Sequence, residues 1–221
     1  MSLESVGKRV EEACLRAGRD PGEVTIVAVS KGRAPEEILG LYELGHRDFG
    51  ENRADEMDEK ASRLPADIRW HFVGHLQSNK ARVVRPTASF LHSLDRMSLA
   101  KAWLKGPGDP PPAYLQVNIG REPQKFGVEP EEAPKAAVQF ADLGIALVGV
   151  MAILPIVEEP EDARPYFREL REVGRRTQEA VPGARGLSMG MTDDFEVAVE
   201  EGATVIRVGR AIFDENQTTP R

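Results

Sequence analysis

Residues 24–32 read VTIVAVSKG, an apolar β-branched run that ends on a lysine. Side chains alternate between the two faces of a strand, so Lys31 shares a face with Thr25, Val27 and Val29, while Ile26, Ala28 and Ser30 face the other way. An amine at the end of a buried strand, between walls of low polarity, loses solvation, and this draws its pKa down from ~10.4 toward the neutral, nucleophilic form. A neutral primary amine condenses with an aldehyde to a Schiff base. The plain alternative is a strand-end lysine whose stem carries its charge out to water. The alternation alone leaves both open.

The stretch 186–214, GLSMGMTDDFEVAVEEGATVIRVGRAIFD, bears on the choice. Its first half reads as a short strand, a glycine-containing loop and a helix start, which offers free backbone N–H groups with a positive dipole behind them and so suits a phosphate. Its second half ends on Arg207-Val208-Gly209-Arg210, where Gly209 lets the backbone come close to a ligand. Arg207 shares a face with Val205 and Gly209, so its guanidinium can stand at the same mouth as Lys31. Asp193 and Asp194 would repel a phosphate if they faced it, but as cap or first-turn residues they can point away. An aldehyde-reactive lysine beside a phosphate seat points to pyridoxal 5′-phosphate (PLP).

Elements that could position these residues recur along the whole chain. β-branched runs at 24–30, 47–49, 69–73, 90–94, 113–119, 146–153, 186–189 and 205–208 alternate with helical patterns such as 35–44, 54–64, 130–143 and 163–180. That is the signature of βα units on a parallel sheet. The first strand runs into SKGRAPEE, without the GxGxxG turn of an open dinucleotide-binding sheet. A single (β/α)8 TIM-type barrel over residues 1–221 is therefore expected. An extra N-terminal helix within 1–20 would fill the slot of the missing last helix, and 215–221 would form a C-terminal tail. KGPGDPPPAY reads as a stiff surface connection before the fifth strand.

Composition narrows the function classes. With 29 Lys and Arg against 36 Asp and Glu, the net charge is −7, and no basic run could track a nucleic-acid backbone. No stretch approaches the ~20 apolar residues of a membrane span, and MSLESVGKRVEEACLRAG is amphipathic rather than an export signal, so a cytoplasmic location is expected. Cys14 is the only cysteine, which rules out an internal disulfide, and it falls among the apolar positions Leu3, Val6, Val10 and Ala13 of the first helix.

Other candidates have plainer readings. His71 and His75 in WHFVGH lie four apart on a strand, hence on one face, but no third ligand stands nearby and no metal is expected; one should line the mouth and the other sit satisfied in the core. Gln77 to Lys80 cap the next helix or form a functional loop, and both remain open. Met151 and Met189 are core residues unless a cofactor ring packs on them. The basic residues from Arg164 to Arg176 are interleaved with glutamates and read as a solvated, ion-paired face.

Taken together, VAVSK, DFGEN, WHFVGHLQSNK, LHSLD, VNI…E…KFG, GLSMGMTDDFE and VIRVGRAIF resemble the pyridoxal phosphate homeostasis protein family, related to the N-terminal barrel domain of alanine racemase, over residues 24–213. The resemblance implies a PLP-binding barrel that holds the cofactor as an internal aldimine on Lys31. Its implied role is carrier or regulator in vitamin B6 balance, with no firm catalytic reaction. By the same resemblance Ser188 and the backbone around Gly190 hold the phosphate with the amides near Gly209 and Arg210, and Asn52 lies beside the ring, with His75, Met151 and Met189 completing the cofactor-binding set. Arg207 would face the pyridine nitrogen and keep it unprotonated, which weakens the ring as an electron sink. Arg210 departs from the small hydroxyl residue of relatives, so a charge-assisted contact would replace a hydroxyl one there.

The implied partners are PLP and PLP-dependent apo-enzymes, with no nucleic acid and no membrane, and a monomer is expected. A PLP-dependent racemase or lyase is the first alternative. Against it, none of Tyr42, Tyr114 and Tyr166 falls at a strand end facing the mouth, and the chain ends at the barrel, without the second domain that supplies such a tyrosine. A cofactor-free Schiff-base enzyme of aldolase type is the second.

Overall fold

The structure, a computed structural model, describes residues 2–214. Eight parallel strands close a barrel in chain order: β1 (Thr25–Val29), β2 (Asp48–Glu51), β3 (Arg69–Phe72), β4 (Ala88–Leu94), β5 (Ala113–Gln116), β6 (Leu147–Met151), β7 (Gly186–Ser188) and β8 (Val205–Val208). Closure is made by β1 and β8, in register from Thr25 against Val205 to Ala28 against Val208. The helices are α1 (Leu3–Ala17), α2 (Pro35–Glu43), α3 (Ala54–Arg63), α4 (Ala81–Val84), α5 (Met97–Trp103), α6 (Ala133–Asp142), α7 (Arg164–Ala180), α8 (Phe195–Glu200) and α9 (Arg210–Phe213). This is the expected (β/α)8 barrel with an N-terminal helix; the tail at 215–221 lies outside the described residues. No described helix is long and apolar enough to cross a membrane.

Element limits depart from the sequence expectation where tertiary contacts intervene. β2 runs through Gly50 to Glu51 instead of stopping at Phe49, because Gly50 faces inward where a Cβ would stand 2.9 Å from Val27 Cγ1. The fifth strand ends at Gln116 rather than at residue 119, since the chain turns there to pair locally, Asn118 N–H donating to the Val128 carbonyl at 2.8 Å.

The apolar core lies mainly between strands and helices, with Phe49, Phe72, Leu91, Leu115, Val150 and Ile206 packed against Ile38, Trp103, Phe167 and Phe195. The lumen is different. Its apolar filling is small, Val27, Tyr114, Met151 and Val205, and it also holds buried polar side chains, Asp48, His71, His92, Ser188 and Arg207. Each of those must find a partner inside, because an unpaired polar group there costs about 1–3 kcal/mol.

α1 is fixed at its start by Ser2 and Ser5, which cap each other's backbone, and it buries Val6, Val10, Ala13 and Cys14. It packs on α8 and α9, in the expected slot. Arg9 pairs with Glu196 at 2.7 Å and lies 4.6 Å above the Phe195 ring, and Arg16 pairs with Glu200 at 2.6 Å. α7 keeps the expected ion-paired face, but in its first half the partner is not an interleaved glutamate: Arg164, Arg168 and Arg171 converge on the buried carboxylate of Glu201 at 2.9–3.0 Å. Its second half keeps to the surface, with Arg175 between Glu172 and Glu179.

Because Cys14 is fully buried and burial pushes its thiol pKa up, it should not react with an aromatic disulfide reagent in the native protein and should react fully in guanidinium. Native reaction at the rate of a free thiol would mean that α1 does not stay docked.

Candidate functional site

The C-terminal ends of β1, β2 and β8 and the loops after β3, β6 and β7 enclose a cavity of about 330 Å3, within the range of small-ligand pockets, ~300–1,000 Å3. Lys31, Asn52, Thr192, Arg207, Gly209 and Arg210 line it, with Val29, Val73 and Ile153 as its apolar wall. The closed strand order therefore brings the lysine of the first strand and the arginine of the eighth to one mouth.

Lys31 lies two residues beyond the end of β1, and both of its neighbours are pinned from α3. Lys60 donates to the Ser30 carbonyl, to Glu51 Oε1 and to Glu56 Oε1, each at 2.7 Å, and Glu56 Oε1 also accepts from Gly32 N–H at 2.5 Å. Ser30 turns its hydroxyl to Glu51 Oε1 at 2.7 Å. Gly32 takes φ +70°, a left-handed conformation that a glycine adopts without steric cost. Lys31 itself is exposed, which corrects the expectation of a desolvated amine: the walls approach its stem but leave the ammonium at the rim.

Arg207 is buried, and among the described residues no carboxylate pairs with it. It donates instead to Ser188 Oγ at 2.6 Å and to the Ala152 carbonyl at 2.8 Å. Burial lowers its pKa to about 10, with Asp194 and Tyr114 acting in the opposite sense. Ser188, expected at a phosphate, points into the lumen, where its hydroxyl meets Arg207 and lies 2.9 Å from His92 Nδ1. Strand alternation then sends Met189 outward into the core beneath the helices, away from the mouth where it was expected to meet a ring. Met151 lies deeper in the lumen with Val27, Tyr114 and Val205 and does not line the cavity.

Gly190 takes φ +92° and passes so close to α8 that a Cβ would lie 2.6 Å from Ala198 Cβ. Gly209 comes close to the β1 backbone, where a Cβ would stand 3.1 Å from the Val29 carbonyl oxygen. Asp194 turns its carboxylate back to Met191 N–H at 2.6 Å, and Asp193 pairs with Arg210 at 2.7 Å, so neither acid stands free on the cavity wall.

β3 ends at Phe72, so His71 and His75 do not share a strand face as expected. His71 is buried in the lumen; His75 lies beyond the strand, stacked on Phe126 at 3.5 Å between ring centroids, and lines a neighbouring depression that also includes Asn52. Asn52 Oδ1 is buried without a partner. Two residues carry the site without having been singled out in the sequence. Thr192 places a hydroxyl residue on the cavity wall two positions after Gly190, and Lys60 looks like an ordinary helix lysine until α3 docks.

The family described as "Alanine racemase, N-terminal domain" matches residues 9–217. A "Pyridoxal phosphate homeostasis protein" of Aquifex aeolicus is 40% identical over 224 residues, covering 97% of each chain. The chain belongs to the pyridoxal phosphate homeostasis protein family. A second family member, from Pseudomonas aeruginosa, is 37% identical over 96% of this chain and 93% of its own. Among solved structures, that of PipY from Synechococcus elongatus with PLP bound superposes with a TM-score of 0.79 at 33% identity, covering 94% of this chain and 99% of that one.

The lumen of this family member makes its stability depend on pH. Burial, with His71 and Arg207 adding to it, pushes His92 well below its ordinary value, so the folded chain keeps it neutral while the unfolded chain takes up a proton below ~6.5. A lowered folded value gives stability that is present above ~6.5 and declines as pH falls below it. His46 and His75 are lowered too, by burial first, and act in the same sense. Glu51 and Asp194, pushed up by burial, act oppositely only near and above ~4. The urea midpoint should hold between pH 8 and 7 and drop between pH 6.5 and 5.5; a flat midpoint across that second interval would contradict the buried neutral imidazole.

Proposed function

We propose that this protein binds PLP at the barrel mouth, attached covalently to Lys31, and serves in PLP homeostasis as a monomeric carrier or regulator for PLP-dependent apo-enzymes rather than as a catalyst. The observation that carries this reading is the meeting of Lys31 and Arg207 on one cavity of about 330 Å3. When bound, PLP supplies an aldehyde that condenses with a primary amine and a ring that can draw electrons. The Lys31 nitrogen would attack the aldehyde carbon, and the aldehyde oxygen would leave as water.

The residues present fit such a group. Arg207 is a buried cation without a carboxylate, facing a cavity, and suits an aromatic nitrogen that stays unprotonated. Asn52 has a buried Oδ1 with no partner at the same wall, and the narrow gap at Gly209 brings backbone close to the space. Thr192 and the backbone at Gly209 and Arg210 are the groups in reach of a phosphate, with Asp193 held to Arg210 so that its charge is offset. The names of the relatives and the PLP-bound PipY structure support the same reading.

Borohydride reduction of the PLP-treated protein, followed by peptide mapping, should place the label on Lys31, and Lys31→Ala should abolish it. A label on Lys80 or Lys125 would move the site. Transfer of PLP to an apo-enzyme, read as recovered activity, tests the carrier role.

Arg207 facing the ring nitrogen would leave little stabilisation for a substrate carbanion, and general acid–base help, typically worth ~10²–10⁴ in rate, has no tyrosine to supply it at the cavity wall. Tyr114 is buried in the lumen with its pKa pushed up to about 12 by burial, and Tyr42 is bonded to Asp67. NMR of L- and D-alanine in heavy water should therefore show α-proton exchange near that of free PLP. Exchange far above it that vanishes with Lys31→Ala would make the protein an enzyme.

A further inference from the structure

Six side chains, five of them in the lumen, form an unbroken series from the bottom of the barrel to its mouth. Arg69 Nε donates to Asp48 Oδ1 at 2.8 Å, and Asp48 Oδ1 lies 3.0 Å from His71 Nε2. His71 Nδ1 lies 2.9 Å from His92 Nε2, His92 Nδ1 lies 2.9 Å from Ser188 Oγ, and Ser188 Oγ accepts from Arg207 Nη1 at 2.6 Å. His71, His92, Ser188 and Arg207 are all buried.

The ends fix the direction. A guanidinium only donates and an ionised carboxylate only accepts. Ser188 Oγ takes the Arg207 N–H, which leaves its own O–H able to donate to His92 Nδ1. His92 then carries its proton on Nε2 and gives it to His71 Nδ1, and His71 Nε2–H faces Asp48. With one proton on each ring, the reverse order would set the lone pair of His71 Nε2 against the carboxylate. Burial pushes Asp48 up, but the hydrogen bonds from His71 and Arg69 hold its carboxyl well below the usual range, and burial keeps His92 neutral.

We propose that Asp48, His71, His92 and Ser188 form a one-directional hydrogen-bonded wire that positions the Arg207 guanidinium at the mouth and stabilises its charge through the carboxylate at the far end. Aligned bonds in a low-dielectric lumen polarise one another, so the wire lends Arg207 part of the counter-charge that it otherwise lacks. These are positioning residues: none of Asp48, His71 and His92 lines the mouth cavity. The effect on ligand binding rests on the PLP reading above, whereas the wire rests on the chain alone.

Nitrogen-15 NMR of histidine-labelled protein without added PLP tests the wire. His71 and His92 should both be neutral and protonated on Nε2. An imidazolium at His71, or a proton on Nδ1 of His92, overturns the direction. PLP titration of Asp48→Asn, Ser188→Ala and the double variant tests the positioning. Loss of the Ser188 acceptor should weaken PLP binding about five- to a hundredfold. Asp48→Asn should weaken it less, and its effect should disappear in the Ser188→Ala background, since the broken link no longer transmits it. Effects that multiply in the double variant overturn the positioning role. If wild-type protein binds no PLP, the functional reading fails while the NMR result still decides the wire.

Discussion

A positive charge buried inside a closed barrel is the constraint on which the rest depends. Moving an ion out of water costs several kcal/mol even after relaxation, and a barrel lumen offers neither a free edge nor bulk solvent to repay it. Arg207 meets that cost with the Ala152 carbonyl and the Ser188 hydroxyl rather than with an acid. The choice shapes the lumen around it. Residues that could have been Leu or Val in a purely structural barrel are Asp48, His71 and His92, while the buried apolar filling is Val27, Tyr114, Met151 and Val205, with Val29, Phe90 and Val148 packed against it. A carboxylate beside Arg207 would have satisfied the charge locally and left nothing for a ligand to meet.

The mouth shows the complementary arrangement. Lys31 is free at its tip and fixed at its base, because the buried ammonium of Lys60 and the Glu56 carboxylate paired with it hold the peptide groups on either side of it. One lysine is thus dedicated to orienting another. The arrangement fixes the Lys31 backbone just beyond the strand and confines its conformational freedom to its own side chain, which would lower the entropy lost in the proposed bond to PLP. Glu51 shares the cluster, with Oε2 buried and unpaired and its carboxyl pushed up by burial, and Lys60 pairs with Glu51 and Glu56 at 2.7 Å each.

Much of this was legible in the sequence, and what was missed has physical causes. Alternation within 24–32 put Lys31 on the strand face that leads to the mouth, and alternation in Val205 to Gly209 did the same for Arg207, because both strands are long enough to show their period. β7 is three residues long, too short for its inward face to be read, so the sequence suggests both Ser188 and Met189 for the cofactor although they point opposite ways. His71 and His75 suggested a pair because the run WHFVGH continues past the last ladder bond, and only closure brings His71 beside His92. Lys60 was invisible for a similar reason: burial of a helix lysine depends on how α3 docks, and no local period encodes that.

The wire also bears on how such a chain can change over time. Each link between Asp48 and Arg207 is both a donor and an acceptor, so replacing one member alone leaves an unpaired atom on each side of the gap, at about 1–3 kcal/mol apiece. A marginally stable domain tolerates few such losses. Divergence at these positions should therefore proceed in concert, with the two imidazoles and the serine exchanged as a set for another continuous series or for apolar filling, and a lineage that adopts a carboxylate next to its arginine is released from keeping the rest.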